Sequence, residues 1–326
     1  MAVAGLPSRK VETHTDISET CQKPCTFFPR KVDRDSTVAS HGHELMPWWM
    51  KIAAKLVLSR IPHNYHTFAK LGMFRHGAMQ ESSYALEVFK THFERSEFPG
   101  KYGGYTCLEL GVGDSVASAL IAGSFGANKT YLLDSGRYAI EDVSVYKNIV
   151  QSWQQAQVEI QDLDNVASFD ELLRRVKCEY LTDGLSSLRT IPDNSVDFVW
   201  SQAVLEHIRI GEFDETLAEL FRITTPGAAL SHRVDYKDHL GGALDNHRLP
   251  SRVWEADWMA GSGFYTNRIS QPDMIRRFEK AGFTVEVLIR NTWDVVPTPR
   301  PKMASEFSQM PDEELLVSGS DFLLSR

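Results

Sequence analysis

LELGVGDS, Leu108 to Ser115, runs an apolar stretch directly into Gly-x-Gly and on into a helical pattern. Glycines at Gly111 and Gly113 let the backbone turn tightly and lie close to whatever the loop holds. An acid, Glu109, stands two residues before Gly111, and a second, Asp134, closes the next apolar run, KTYLLD, 21 residues after Gly113. Working outward, short apolar runs alternate with helical patterns. TCLELGV, KTYLLD, SVDFVWS and AALSHRVD read as buried strands. Ser115 to Ala122, Ile140 to Gln155 and Phe213 to Ile223 read as helices, the last with Leu217, Leu220 and Phe221 on one face and Pro226-Gly227 ending it. Ser168 with Glu171 forms a capping box that opens FDELLRRV. Such alternation predicts an α/β fold, a doubly wound, mostly parallel sheet with helices on both faces.

The flanks divide the chain further. Residues 1–45 mix Pro, Ser, Thr and both charges without an apolar period and read as a flexible arm. Cys21 and Cys25 lie there, with no second Cys or His pair at zinc-site spacing. Residues 46–100 read as a helical extension. MPWWMKIAAKLVLSRI spaces Trp48, Ile52 and Leu56 by four, which suits a helix packed over the main domain or, as the other choice, peripheral contact with a membrane surface. Glu81 to Phe93 is a second helix. Residues 101–326 form the main domain, with an irregular insertion at about 236–270. Beyond it, Pro272 starts a helix that Gly282 caps, and FTVEVLI and LLVSGSDFLLSR are the closing strands.

Composition narrows the function classes. The 326 residues carry 35 Lys and Arg against 43 Asp and Glu, a formal charge of −8. Non-specific nucleic-acid binding needs a basic footprint, so no nucleic-acid partner is expected. No apolar run reaches the roughly 18 residues that span a bilayer, the first residues lack a signal-peptide core, and four cysteines are too few for a disulfide scaffold. The expectation is a cytoplasmic protein.

An acid at the end of the second strand of such a sheet is placed to accept from ribose hydroxyls. A nicotinamide cofactor would favour G-x-G-x-x-G, with its pyrophosphate on the helix N-terminus. Here the run from Gly111 is G-V-G-D-S-V: the last glycine is missing, and Asp114 would face a pyrophosphate with negative charge. S-adenosylmethionine, with a cationic sulfonium and amino group, tolerates acids around the loop. ELGVGDS, YLLDSG and IPDNSVDFVWSQAVLEHI, in that order, resemble the successive motifs of class I S-adenosylmethionine-dependent methyltransferases over residues 103–290. The resemblance implies a Rossmann-like, mostly parallel seven-stranded sheet with an antiparallel terminal strand, and S-adenosylhomocysteine as product. Ser115 stands where many members have a third glycine. By motif position, Glu109, Gly111, Gly113 and Ser115 would line the methionine part of the cofactor, and Asp134 with Ser135 the ribose. Asp183, Gly184 and Leu185 would lie at the adenine, and Ser201 and Gln202 would face cofactor or substrate.

Methylating a hydroxyl requires losing a proton, which a His or carboxylate of suitable pKa can take. His232, Asp235 and His239, spaced by three and four, are the candidates, with His207 in VLEHI beside them. The same triplet could hold a divalent metal, the less favoured choice. HRVDYKDHLGG, LPSRVWE and GFYTNR are similar to bacterial methyltransferases found with glycan and surface-polysaccharide assembly enzymes, which implies a sugar or glycoconjugate acceptor. Trp254 and Trp258, taken as i, i+4 on one short helix, and Tyr265 would stack on sugar faces, while Arg252, Asn267 and Arg268 would hydrogen-bond hydroxyls or phosphate. Arg75, His76 and Met79 in FRHGAMQESSYA are the candidate lid over the cofactor. The alternatives are an O- or N-methyltransferase of a bacterial secondary metabolite, and a non-catalytic S-adenosylmethionine-binding scaffold.

Overall fold

Seven strands form one sheet: β1 (Tyr105–Leu110), β2 (Ala127–Leu133), β3 (Cys178–Leu181), β4 (Val196–Gln202), β5 (Thr224–Asp235), β6 (Thr284–Thr292) and β7 (Val317–Ser325). Their order is β3-β2-β1-β4-β5-β7-β6. The pairs from β3 through β5 are parallel, and β7 runs antiparallel between β5 and β6. This computed structural model describes residues 49, 50, 52, 53 and 81–326. The arm with Cys21 and Cys25, most of the helix expected from Met46, and the lid candidates Arg75, His76 and Met79 lie outside the described residues.

Strand alternation sets two core layers. In β4, Phe198 and Trp200 join one apolar cluster and Val199 the other, as successive side chains point to opposite faces. The first cluster packs under α1 (Ser82–Glu94), α2 (Ala117–Ser124), α3 (Val143–Gln155) and α4 (Phe169–Arg175). The second packs under α5 (Gly184–Leu188) and α6 (Ile210–Ile223). Two further short helices, α7 (Ser251–Trp254) and α8 (Asp257–Ala260), stand in the insertion, and α9 (Gln271–Lys280) returns to the second layer with Met274 and Phe278 buried. Strands covered on both faces need near-continuous apolar sequence, which is why β1 and β4 were legible.

Three local readings change. Pro226 and Gly227 lie within β5 rather than before it, at a register shift against β4 where Gly227 takes φ +84°. β3 is only four residues, CEYL, half-buried or exposed throughout, and so gave no apolar run. Trp254 and Trp258 fall on two separate helices, α7 and α8. The Ser168 cap forms as expected, its Oγ accepting from Glu171 N at 3.2 Å, but the Glu171 carboxylate turns back to Ala167 N rather than to Ser168.

Candidate active site

The chain steps from β1 outward to β2 and β3, then crosses to β4 on the other side of β1. In open α/β sheets ligands bind at such a switch point, beyond the carboxyl ends of the strands. The glycine loop stands there. Gly111 N donates to Leu133 O at 2.8 Å, and Gly113 N to Asp134 Oδ2 at 2.9 Å, so the end of β2 braces the loop. Both glycines have positive φ, +73° and +66°. At Gly111 a Cβ would lie 2.3 Å from Val204 Cγ2, so this position has no room for a side chain. Ser115 needs no such freedom. It is buried and its Oγ accepts from Ala117 N, closing the first turn of α2.

The expected cofactor residues assemble at this end, with differing availability. Ser135 N donates to Asp134 Oδ1, and Gly184 N to Asp134 O, which draws the start of α5 to the end of β2. Asp183 and Ser135 are exposed, and Leu185 is half-buried against the second core layer. Glu109 differs from expectation: it is 2% exposed, turned beneath the loop to accept from Ser118 Oγ, and burial holds its carboxyl well above the usual range. Ser201 is enclosed and pairs with His232 Nδ1 at 2.8 Å, while Gln202 Oε1 accepts from His92 Nε2 at 3.0 Å. The loop and the end of β2 carry Glu109, Asp114 and Asp134 and no Lys or Arg. This donor set suits a cationic, phosphate-free ligand. A carboxylate offers about four lone-pair directions, so bracing the loop does not stop Asp134 accepting from ribose hydroxyls.

Past the ends of β4 and β5, a cleft is lined by Glu206, Asp235, Tyr236, Asn267, Arg268 and Glu314, among others. Of the expected acceptor residues, Asp235, Asn267 and Arg268 line this cleft and His232, Trp254 and Tyr265 do not. His232 is fully buried, its ring packed along Phe278, and burial lowers its pKa to about 3, so it is not placed to take a proton. Asp235 holds its own turn, accepting from Lys237 N and pairing with Lys237 Nζ at 3.5 Å. His207 and His239 are exposed at the rim with rings 4.8 Å apart, and His207 Nδ1 donates to Tyr265 O. Trp254 is wholly buried in a satellite cluster with Ile52, Phe264 and Tyr265, its Nε1 donating to Thr266 O. Tyr265 donates to Glu255, Asn267 Nδ2 donates to Leu205 O and Ile208 O, and Arg268 donates to Asn246 O, Leu249 O and Ser251 Oγ. Trp258 and Arg252 remain exposed.

Two features escaped the sequence reading. His92 and Arg95 on α1 reach across the sheet, His92 Nδ1 meeting Ser231 Oγ and Arg95 pairing with Asp321 at 2.6 Å. Glu206, one residue before His207 in an otherwise apolar run, is buried at the cleft with one oxygen lacking a partner. An acid inside VLEHI was the signal. Among the described residues no three His, Cys, Asp or Glu are grouped to hold a metal ion, and no helix is long and apolar enough to cross a membrane.

Residues 108–231 match the family model described as "Methyltransferase domain". No curated protein matches the chain. Among solved structures, an S-adenosylmethionine-dependent methyltransferase from Mesorhizobium loti is 14% identical over 74% of this chain and 96% of its own, with a TM-score of 0.38. One from Archaeoglobus fulgidus is 11% identical over 80% and 98%, at 0.41. An arsenic(III) methyltransferase from Chlamydomonas reinhardtii is 16% identical over 74% and 71%, at 0.39. Overlaps this loose say nothing of the acceptor. The strand order, the braced glycine loop and the matched segment together give residues 108–231 the fold and the sequence likeness of a class I methyltransferase domain.

Proposed function

We propose that the protein transfers the methyl group of S-adenosylmethionine to a hydroxyl of a small polar acceptor, a sugar or glycoconjugate. The observation that carries this reading is the position and lining of the cleft. It opens beyond β4 and β5, and Glu206, Asp235, Asn267 and Arg268 stand in its wall. Bringing acceptor and methyl group together in line supplies much of the rate in such a reaction. Gly111, Gly113, Asp134 and Ser135 would hold the cofactor, with Asp183 and Leu185 toward the adenine. Exposed Trp258 and Arg252, both within the insertion, would contact a larger acceptor, since Trp254 is enclosed.

A second reading is an amine acceptor, favoured by the carboxylates of Asp235 and Glu314 in the lining. Calorimetric titration with S-adenosylhomocysteine tests the cofactor, with single-site binding in the micromolar range expected. Release of S-adenosylhomocysteine with nucleotide sugars and glycosides, set against simple amines, then tests the acceptor. Turnover with amines alone would replace the hydroxyl reading. Binding without turnover on any acceptor would favour a scaffold.

A further inference from the structure

Glu206 follows β4 by four residues, in a 3-10 turn spanning Leu205–His207. The turn is clamped: Glu206 O accepts from Asn267 N at 2.7 Å, and Asn267 Nδ2 donates to the carbonyls of Leu205 and Ile208 on either side. The carboxyl is thereby fixed. It is 3% exposed and lines the cleft; Oε1 accepts from Asp235 N at 3.2 Å, while Oε2 has no hydrogen-bond partner. A buried polar atom left without a partner is costly, and one that faces a cleft is satisfied by what the cleft binds. Val204, two residues earlier, lies against Gly111. The turn that carries Glu206 thus starts beside the cofactor loop and, at Glu206, lines the cleft.

We propose that Glu206 receives the proton of the acceptor hydroxyl, an inference that rests on the O-methyl transfer proposed above. The acceptor O–H would donate to Oε2. As the oxygen attacks the sulfonium methyl, the O–CH3 bond forms and the CH3–S bond breaks, its electron pair staying on sulfur. The hydroxyl proton passes to the Glu206 carboxylate, leaving methyl ether, S-adenosylhomocysteine and a protonated Glu206. The clamped turn supplies the alignment, and Oε1, tied to Asp235 N, leaves Oε2 to accept from the acceptor. Asp235 and Glu314 in the same lining repel an acceptor that carries an anion beside the reacting hydroxyl.

Burial pushes the Glu206 carboxyl up to about 8, and the Asp235 carboxylate adds to the rise. The charged and titratable groups around it are Asp235, Arg233 and Tyr236 from β5 and its end, His207 in the same turn, Arg268 and His247 from the insertion, and Glu314 before β7. The base form therefore grows as pH rises toward 8, and a sulfonium charge bound nearby favours it further. Turnover should climb along that limb.

The test compares wild type with Glu206→Gln. Calorimetry with S-adenosylhomocysteine comes first, with equal affinity expected. Failure of the wild type to bind refutes the methyltransferase reading itself, whereas failure of the variant alone makes Glu206 a support of the cofactor site and overturns the proposal. Next, protein labelled with carbon-13 at glutamate carboxyls gives a Glu206 signal, identified by its absence from the variant. With S-adenosylhomocysteine bound, methyl glycosides of glucose, mannose and galactose are added in turn. A shift of that signal by at least one is expected, and a signal unmoved by all of them overturns the proposal. For a glycoside that is turned over, Glu206→Gln should lower kcat about 100-fold or more, with little change in KM and no rising pH limb. The matching glycoside 6-phosphate should be turned over more slowly than the neutral sugar. A variant that keeps wild-type kcat and pH profile overturns the assignment.

Discussion

Histidines drew the sequence reading toward His232 because their pKa in water lies near neutrality. Burial reverses that ranking. His92, His232 and His247 are each lowered to about 3, chiefly by desolvation, while Glu206 is raised to about 8 by the same cause. The Asp134 carboxylate sits at the end of β2 and braces Gly113. Asp134→Ala should weaken S-adenosylhomocysteine binding by about 1.5–3 kcal/mol, the range for a hydrogen bond to a charged group. Calorimetry reads this, and unchanged affinity would remove Asp134 from the site. Gly111→Ala meets both a positive φ and the side chain of Val204. We expect a stability loss of about 1–3 kcal/mol, part of it recovered in the Gly111→Ala, Val204→Ala double variant. Full recovery would show that the steric contact alone dictates glycine there.

Among the elements, the insertion between β5 and α9 behaves least as sequence suggests. It lacks long helices and still has a defined shape, because polar side chains organise its backbone. Asp238 Oδ1 accepts from the N–H groups of Leu240, Gly241 and Gly242 at 2.9–3.1 Å, and Oδ2 accepts from Asp245 N. Arg268, with a side chain 2% exposed, binds two backbone carbonyls and lies over the Phe307 ring. Asp238→Ala should cost about 1.5–3 kcal/mol and raise hydrogen exchange in residues 238–249 selectively. Exchange spread evenly over the domain would mean the carboxylate does not organise this loop. The edge strand β6 is mostly exposed and carries Glu286 and Arg290, charges of the kind that discourage pairing with another sheet.

Across the whole molecule, buried titratable groups set opposing slopes of stability with pH. A histidine whose folded pKa is lowered binds fewer protons than in the unfolded chain, so stability falls as pH drops below 6.5 toward 3. A glutamate whose folded pKa is raised keeps a proton that the unfolded chain has released, so stability falls as pH rises above 4.5. Three such histidines and two such glutamates oppose one another between 4.5 and 6.5, with the histidines ahead, each group contributing about 1.4 kcal/mol per pH unit. Above 6.5 only the glutamates remain. The melting temperature should therefore peak near pH 6.5 and fall on both sides, and Glu206→Gln should flatten the decline between 6.5 and 8. A maximum above pH 8 would contradict this account of the buried charges.

Periodicity and punctuation alone determined the doubly wound sheet and the place of its glycine loop. Both follow from local rules: strands buried on two faces are apolar throughout, and a tight strand-to-helix turn needs glycine. Asp134 was legible for the same reason, as the residue that ends the next strand. What only the tertiary structure decided was which polar side chains face the cleft. His232, Trp254, Tyr265, Asn267 and Arg268 read as surface chemistry in a linear chain, yet neighbours distant in sequence enclose them and take up most of their hydrogen bonds, with His232 Nε2 and Arg268 Nε left over. Glu206 became prominent through the converse effect. Its surroundings come from β5 and from a loop some sixty residues away, as in the link from Asn267 to Leu205. Burial and partner geometry are sums over such distant contacts, and no local spacing encodes them.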